Sequence, residues 1–198
     1  MRKVLTLGLI GLAALTGFAG AQEVTTTTKD NKPYFETSDK VTKQATVLAV
    51  DAKSRLVTLA TADGDTTKIV AGDMVKNFAQ IQVNDVIKIT YTEKLTVHVE
   101  APGTAEVTTE KMTSAAKPGE KPKGSVTERT SYKATITAID KAKGTVTLKG
   151  YEGKVFSVTP LVPENLDKVS VGDLVVFTYT ESVAASVEKV DAKPAAKK

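Results

Sequence analysis

Hydrophobic and polar positions alternate with the two-residue period of β-strands through two long stretches of the chain. In residues 44–50, Ala45, Val47 and Ala49 fall on one face, and Thr46, Leu48 and Val50 on the other. Residues 56–60 set Val57 and Leu59 together. Residues 66–70 return after Asp63-Gly64, a dipeptide suited to the positive φ angles of a type I′ hairpin turn. The alternation breaks over 73–80, where residues 77–81 predict one helical turn. It resumes from Asp85, with Ile87, Ile89 and Tyr91 opposite Lys88, Thr90 and Thr92. A fifth strand is expected over 95–99, with Leu95, Val97 and Val99 inward.

The same order then recurs. Residues 83–93 and 171–181 share their first residue, an Asp at the third position and a closing Thr-Tyr-Thr-Glu. Asp51 and Asp140, Leu59 and Leu148, and Gly64 and Gly153 stand at one common spacing. Past a single one-residue deletion, Asn77 and Asn165, Tyr91 and Tyr179, and Glu100 and Glu188 stand at another. So small a shift across a whole unit identifies a duplicated domain. Three strands, a helical turn and two strands is the element order of an OB-type barrel. The expected fold is therefore all-β, with two tandem small five-stranded OB-like β-barrels over 44–100 and 133–190; SH3-like barrels are the alternative. Units this small approach the size at which a core stops being self-sufficient, so the two are expected to lean on each other or on a partner.

The flanking segments read differently. Arg2 and Lys3, the apolar run 4–15 and Ala19-Gly20-Ala21 form a secretory signal peptide over 1–21, cleaved near Ala21. That apolar run is too short to span a bilayer, so no transmembrane segment is expected in the mature chain, and the expected location is the periplasm. Residues 22–43 are polar, with a threonine run at 25–28, and read as a flexible N-terminal arm from which Tyr34 and Phe35 could dock. Residues 101–132 are rich in Pro, Gly and Lys and read as a linker, with a short helix considered over 106–116. Residues 191–198 read as a disordered basic tail.

Charge adds little. The net +4 is spread over mixed surfaces rather than gathered into the basic stripe that phosphate binding needs. Aromatic residues on the second and third strands are limited to Tyr151 and Phe156, too few for base stacking. A nucleic-acid partner is not expected. The chain has no cysteine, so stability must come from its β cores.

Candidate chemistry is sparse. The single histidine, His98, points outward beside Glu100 and has Ser186 at the equivalent place in the second unit. His98 and Glu100 are weak metal candidates only. Tyr91 with Glu93, and Tyr179 with Glu181, put a phenol and a carboxylate on one face near a strand end. They could line a shared pocket, or each Tyr could cap a barrel end. Asp51, Asp85, Asp140 and Asp173 occupy turns, where a carboxylate bonds nearby amides. No nucleophile-and-base set is visible, so no catalytic residue and no cofactor is expected. Thr46-Val-Leu-Ala-Val-Asp51, Val57-Thr-Leu59 and Ile81-Gln-Val-Asn-Asp85, with their counterparts in the second half, form one further pattern. Through these positions residues 46–92 and 135–180 resemble the periplasmic OB-fold domain of copper- and silver-binding chaperones. The resemblance implies the barrel, the compartment and a ligand set of His, two Met and a covering Trp. Here Ala60-Thr61-Ala62 follows the second strand, there is no Trp, and Met74 and Met112 form no pair. The functional expectation is a non-enzymatic periplasmic binding or protein-interaction module whose partner is an envelope protein or a small ligand. The alternatives are a copper or silver handling protein and a cell-envelope scaffold or stress protein.

Overall fold

The computed structural model describes residues 21–29, 31–73 and 75–189. The proposed signal peptide up to Gly20, Met74 and the basic tail 191–198 lie outside the described residues. The first unit comprises β1 (Ala21–Lys29), β2 (Lys32–Asp51), β3 (Leu56–Thr61), β4 (Thr66–Val70), a 3₁₀ turn (Phe78–Gln80) and β5 (Val86–Glu100). The second comprises β6 (Val107–Ala115), β7 (Lys123–Asp140), β8 (Thr145–Lys149), β9 (Val155–Val158), a 3₁₀ turn (Pro163–Lys168) and β10 (Leu174–Glu188).

The class is all-β, as expected, and the pairing differs from two closed barrels. One antiparallel sheet runs β4-β3-β2-β5-β10-β7-β8-β9, with β1 added beside β2 and β6 beside β7. It does not close. The expected fifth strand over 95–99 is simply the second half of β5, which continues straight from the signature strand. Instead of folding back on its own unit, β5 pairs along its whole length with β10, from Leu174↔Glu100 to Glu188↔Val86. The centre of that register is Glu93↔Glu181, two residues at matching places in the recurring sequence pattern, so a pseudo-two-fold axis passes between them.

The segments read as arm and linker are sheet as well. Residues 22–43 form most of β1 and the first half of β2, joined by a tight turn with Asn31 at φ 62°. Residues 107–115 are strand, not helix, and residues 123–132 open β7. Their alternation was hidden because this part of the sheet carries hydroxyls and charges on both faces, so the apolar period that marks a half-buried strand is missing.

Two cores sit at opposite ends of the sheet. One gathers Val47, Val57, Leu59, Phe78, Ile81 and Ile87; the other gathers Ala134, Ile136, Val146, Leu148, Leu166 and Val175. In each, a register shift after Val47 or Ile136 marks a bulge that bends the long strand toward its hairpin. Each core also borrows from the sister unit. Val187 of β10 packs on the first core, and Val97 and Val99 of β5 pack on the second. The units thus lean on each other through exchanged strand halves. The Asp63-Gly64 hairpin departs from type I′: Thr61 and Asp65 bracket a three-residue loop in which Gly64 alone takes positive φ, at 87°. Gly153 repeats this at φ 78° between Gly150 and Lys154. A three-residue loop with a left-handed glycine suits the same strand twist.

Candidate functional site

Between the two cores lies a stretch in which β1, β2, β5, β10, β7 and β6 stand side by side. The elements in substantial contact are hydrogen-bonded neighbours, apart from β2 with the second 3₁₀ turn, so no described element is layered over this stretch. Antiparallel partners point to the same side. One face therefore carries a row formed by Asp39, Glu93, Glu181 and Glu128, ending at Lys111 on β6. Asp39 and Glu128, and Glu93 and Glu181, occupy matching places in the recurring sequence pattern. Carboxylates directly opposite one another on neighbouring strands repel.

Tyrosines bind the middle of this row. The Tyr91 hydroxyl lies 2.6 Å from Glu93 Oε1 and 2.9 Å from Glu181 Oε1. The Tyr179 hydroxyl lies 2.9 Å from Glu93 Oε1 and 3.4 Å from Glu181 Oε1. The hydrogen bond to Glu93 holds the Tyr91 phenol well above its ordinary pKa, reinforced by burial and by Glu181. For Tyr179 burial is the larger cause, followed by Glu93. Both phenols are thereby fixed as proton donors to the carboxylates. The sequence placed these four residues in two pairs at strand ends; the structure joins them as one cluster in the middle of β5 and β10. Beside it, Ile89, Tyr179 and Val183 stay 45%, 39% and 46% exposed on the same face.

The opposite face is hydroxyl-rich. Cross-strand bonds link Thr42 with Thr90, Ser131 with Thr178, and Thr127 with Ser182, at 2.9–3.0 Å. His98 lies on this face. Its Nε2 is 3.1 Å from Glu100 Oε1, its ring stands 6.4 Å from that of Tyr34, and its buried Nδ1 has no hydrogen-bond partner. Burial pushes the Glu100 carboxyl up, and hydrogen bonds from Lys133 and His98 outweigh it, leaving the pKa below the ordinary value. Met112 projects from β6 in the row of Thr92 and Ser182, three strands across from β5 and six residues along from His98, roughly 25 Å away. The structure does not bring them together. Among the described residues no group of three or more His, Asp or Glu side chains is arranged to hold a metal ion.

Asp85 and Asp173 are more than turn residues. Both are buried. Asp85 Oδ2 accepts the Gln82 amide and the Lys121 ammonium; Asp173 Oδ2 accepts the Ser170 amide at 2.9 Å and the Lys32 ammonium at 2.5 Å. Each lysine comes from the other unit, so the pairs form two reciprocal clasps. Sequence reading missed both lysines because they sat in the presumed arm and linker. The available signal was Lys32-Pro33 and Lys121-Pro122, which share the spacing of Asp51 and Asp140. Asp51 and Asp140 do act as turn residues: Asp51 Oδ1 accepts the Lys53 amide at 2.9 Å, and Asp140 Oδ1 accepts that of Lys143 at 3.0 Å. Among the described residues no helix is long and apolar enough to cross a membrane. No protein-family model matches the chain, and no curated protein or solved structure matches it.

Proposed function

We propose that this is a non-enzymatic binding module of the periplasm, and that the carboxylate face of its central sheet receives a protein partner presenting basic and apolar side chains. The carrying observation is the row Asp39, Glu93, Glu181 and Glu128 beside exposed Ile89, Tyr179 and Val183. Opposed carboxylates cost stability in the free protein, and a cationic partner relieves that repulsion. Exposed aromatic and aliphatic side chains next to charges are the composition of a recognition surface.

A hydrolytic reading of the paired carboxylates has less support. Tyr91 bridges Glu93 and Glu181, which puts the bonded oxygens within about 5.5 Å, close to the spacing of retaining glycosidases. Such enzymes need one carboxyl driven acidic and the other basic by different surroundings. The pseudo-two-fold axis gives Glu93 and Glu181 matching surroundings. The element order of each unit further leads us to read it as an OB-type barrel whose last strand has been diverted onto the sister unit.

The test is affinity capture from periplasm after crosslinking. Mature wild type would be compared with a variant carrying Asp39→Asn, Glu93→Gln, Glu128→Gln and Glu181→Gln. The expected result is a salt-sensitive partner lost in the variant. Identical capture by both proteins, or turnover of a hydrolysable substrate abolished by the variant, would refute the reading.

A further inference from the structure

Among the described residues four strands have a neighbour on one side only. Of these β4 and β9 are five and four residues long, whereas β1 and β6 have nine each. Short edges resist a further strand, and long, unbroken ones invite it. β6 pairs with β7 in a register without a bulge, and all nine of its residues are exposed. The Lys133 amide donates to the Glu106 carbonyl at 2.9 Å, which identifies the even-numbered residues as those bonded to β7. The amides and carbonyls of Val107, Thr109, Lys111, Thr113 and Ala115 therefore point away from the sheet. The sequence of this edge is that of an interior strand. Thr109-Glu-Lys-Met-Thr113 matches Thr92-Glu-Lys-Leu-Thr96 of β5, which is paired on both sides.

Charge decides what fits there. On its inner side β6 sets Lys111 opposite Glu128 on the carboxylate face, and Glu110 opposite Arg129 on the hydroxyl face. An antiparallel strand on the outer side meets the same two charges, one on each face. In such a strand the residue opposite Lys111 comes directly before the one opposite Glu110. The complement is therefore an acidic residue followed by a basic one. A lone lysine on an edge deters added strands; with Glu110 beside it, the edge selects by charge order instead. A second copy of this chain does not supply that order. Two antiparallel β6 strands in one continuous sheet keep their faces, so Lys111 of one never stands opposite Glu110 of the other. β1 contains no acidic residue followed directly by a basic one. We propose that the outer edge of β6 adds an extended, antiparallel strand from a partner protein, with an acidic–basic dipeptide opposite Lys111 and Glu110. Main-chain hydrogen bonds give the affinity in this mode of recognition, and side chains give the selectivity. This strand is additional to whatever the carboxylate face receives.

The probe is a synthetic peptide, Ser-Val-Thr-Glu-Arg-Thr-Ser, which copies residues 125–131 of β7 and so carries the complementary order. It is titrated into the isotope-labelled mature chain, with amide shifts and hydrogen exchange followed by NMR. Saturable shifts are expected along β6, with exchange slowed at Thr109, Lys111 and Thr113. The control Ser-Val-Thr-Arg-Glu-Thr-Ser should bind at least about fivefold more weakly, because both cross-strand pairs become like-charged. Thr113→Pro removes an outward amide at an edge position, where proline is tolerated, and should abolish the shifts. If that variant does not fold, Lys111→Gln should reduce the preference for the first peptide at least about twofold. Absence of saturable shifts, equal affinity for the two peptides, binding unaltered by the substitution, or a dimer of the unliganded chain joined through β6 would each overturn the assignment. Asp39, Glu93, Glu128 and Glu181 are unchanged throughout, so the partner of the carboxylate face is assayed separately.

Discussion

The reciprocal clasps give the sharpest stability prediction. Asp85 and Asp173 keep 3% and 5% side-chain exposure, while Lys121 and Lys32 keep 24% and 31%. Removing one partner of a fully buried pair costs about 3–5 kcal/mol. The lysines here are partly hydrated and can turn to water once released, which lowers that part to about 1–2 kcal/mol. Truncation also strips the acceptor from the Gln82 or Ser170 amide, about 1–3 kcal/mol when the turn stays closed to water. Asp85→Ala and Asp173→Ala should therefore each lose about 2–5 kcal/mol. Asp→Asn at either site keeps an acceptor for the turn amide and should lose about 1–2 kcal/mol. The assay is urea unfolding at pH 7, followed by circular dichroism and tyrosine fluorescence. Because both sites join a buried carboxylate to one turn amide and one lysine, their losses should agree within about 1 kcal/mol. Each clasp ties one unit to the other, so both probes should report one transition. A loss under about 0.5 kcal/mol at both sites, or two separate transitions in wild type, would refute the clasp argument.

Three further outcomes follow from the same geometry. Glu93→Gln keeps an acceptor for Tyr91 and removes one of two opposed charges; it should stabilise the protein by about 0.2–1 kcal/mol in low salt, shrinking in high salt, by urea titration. The raised phenol pKa values of Tyr91 and Tyr179 mean that the folded state holds their protons longer than the unfolded chain. Stability should be intact below about pH 10 and fall as pH rises through that region, and less steeply in Tyr91→Phe/Tyr179→Phe, as read from alkaline melting curves. A Cβ on Gly150 would stand 1.7 Å from the Tyr132 hydroxyl, so Gly150→Ala should lower Tm markedly, and Tyr132→Phe should recover part of the loss.

How much of this could be read in the chain depends on where the apolar period is visible. Val47, Val57, Leu59 and Ile87, with their counterparts Ile136, Val146 and Leu148, were legible because burial on one face leaves a strict alternation. The recurrence of the pattern in the second half of the chain was visible for the same reason, and the pairing of Tyr91 with Glu93 and Tyr179 with Glu181 came with it. Whether β5 returns to its own unit or runs on to its sister was not legible, since Val97 and Val99 face a core in either case. Nor were β1 and β6: their Thr, Ser and charged residues carry no apolar stripe, and composition alone resembles a linker. The carboxylate row depends on register across four strands, which local sequence does not encode.

The most direct test of the central claim, one sheet continuous through β5 and β10, exploits the absence of cysteine. Thr92→Cys/Ser182→Cys and Leu95→Cys/Tyr179→Cys each pair directly across the two strands, and together they sample both kinds of antiparallel site. Opposed Cα atoms at about 4.5–5.5 Å meet disulfide geometry. Mild oxidation of the monomer, followed by mass spectrometry of the non-reduced digest, should yield an intramolecular disulfide in at least one pair, while Thr92→Cys/Val176→Cys, out of register, should stay reduced. Reduced cysteines in both in-register pairs, or efficient bridging of the out-of-register pair, would contradict the continuous sheet.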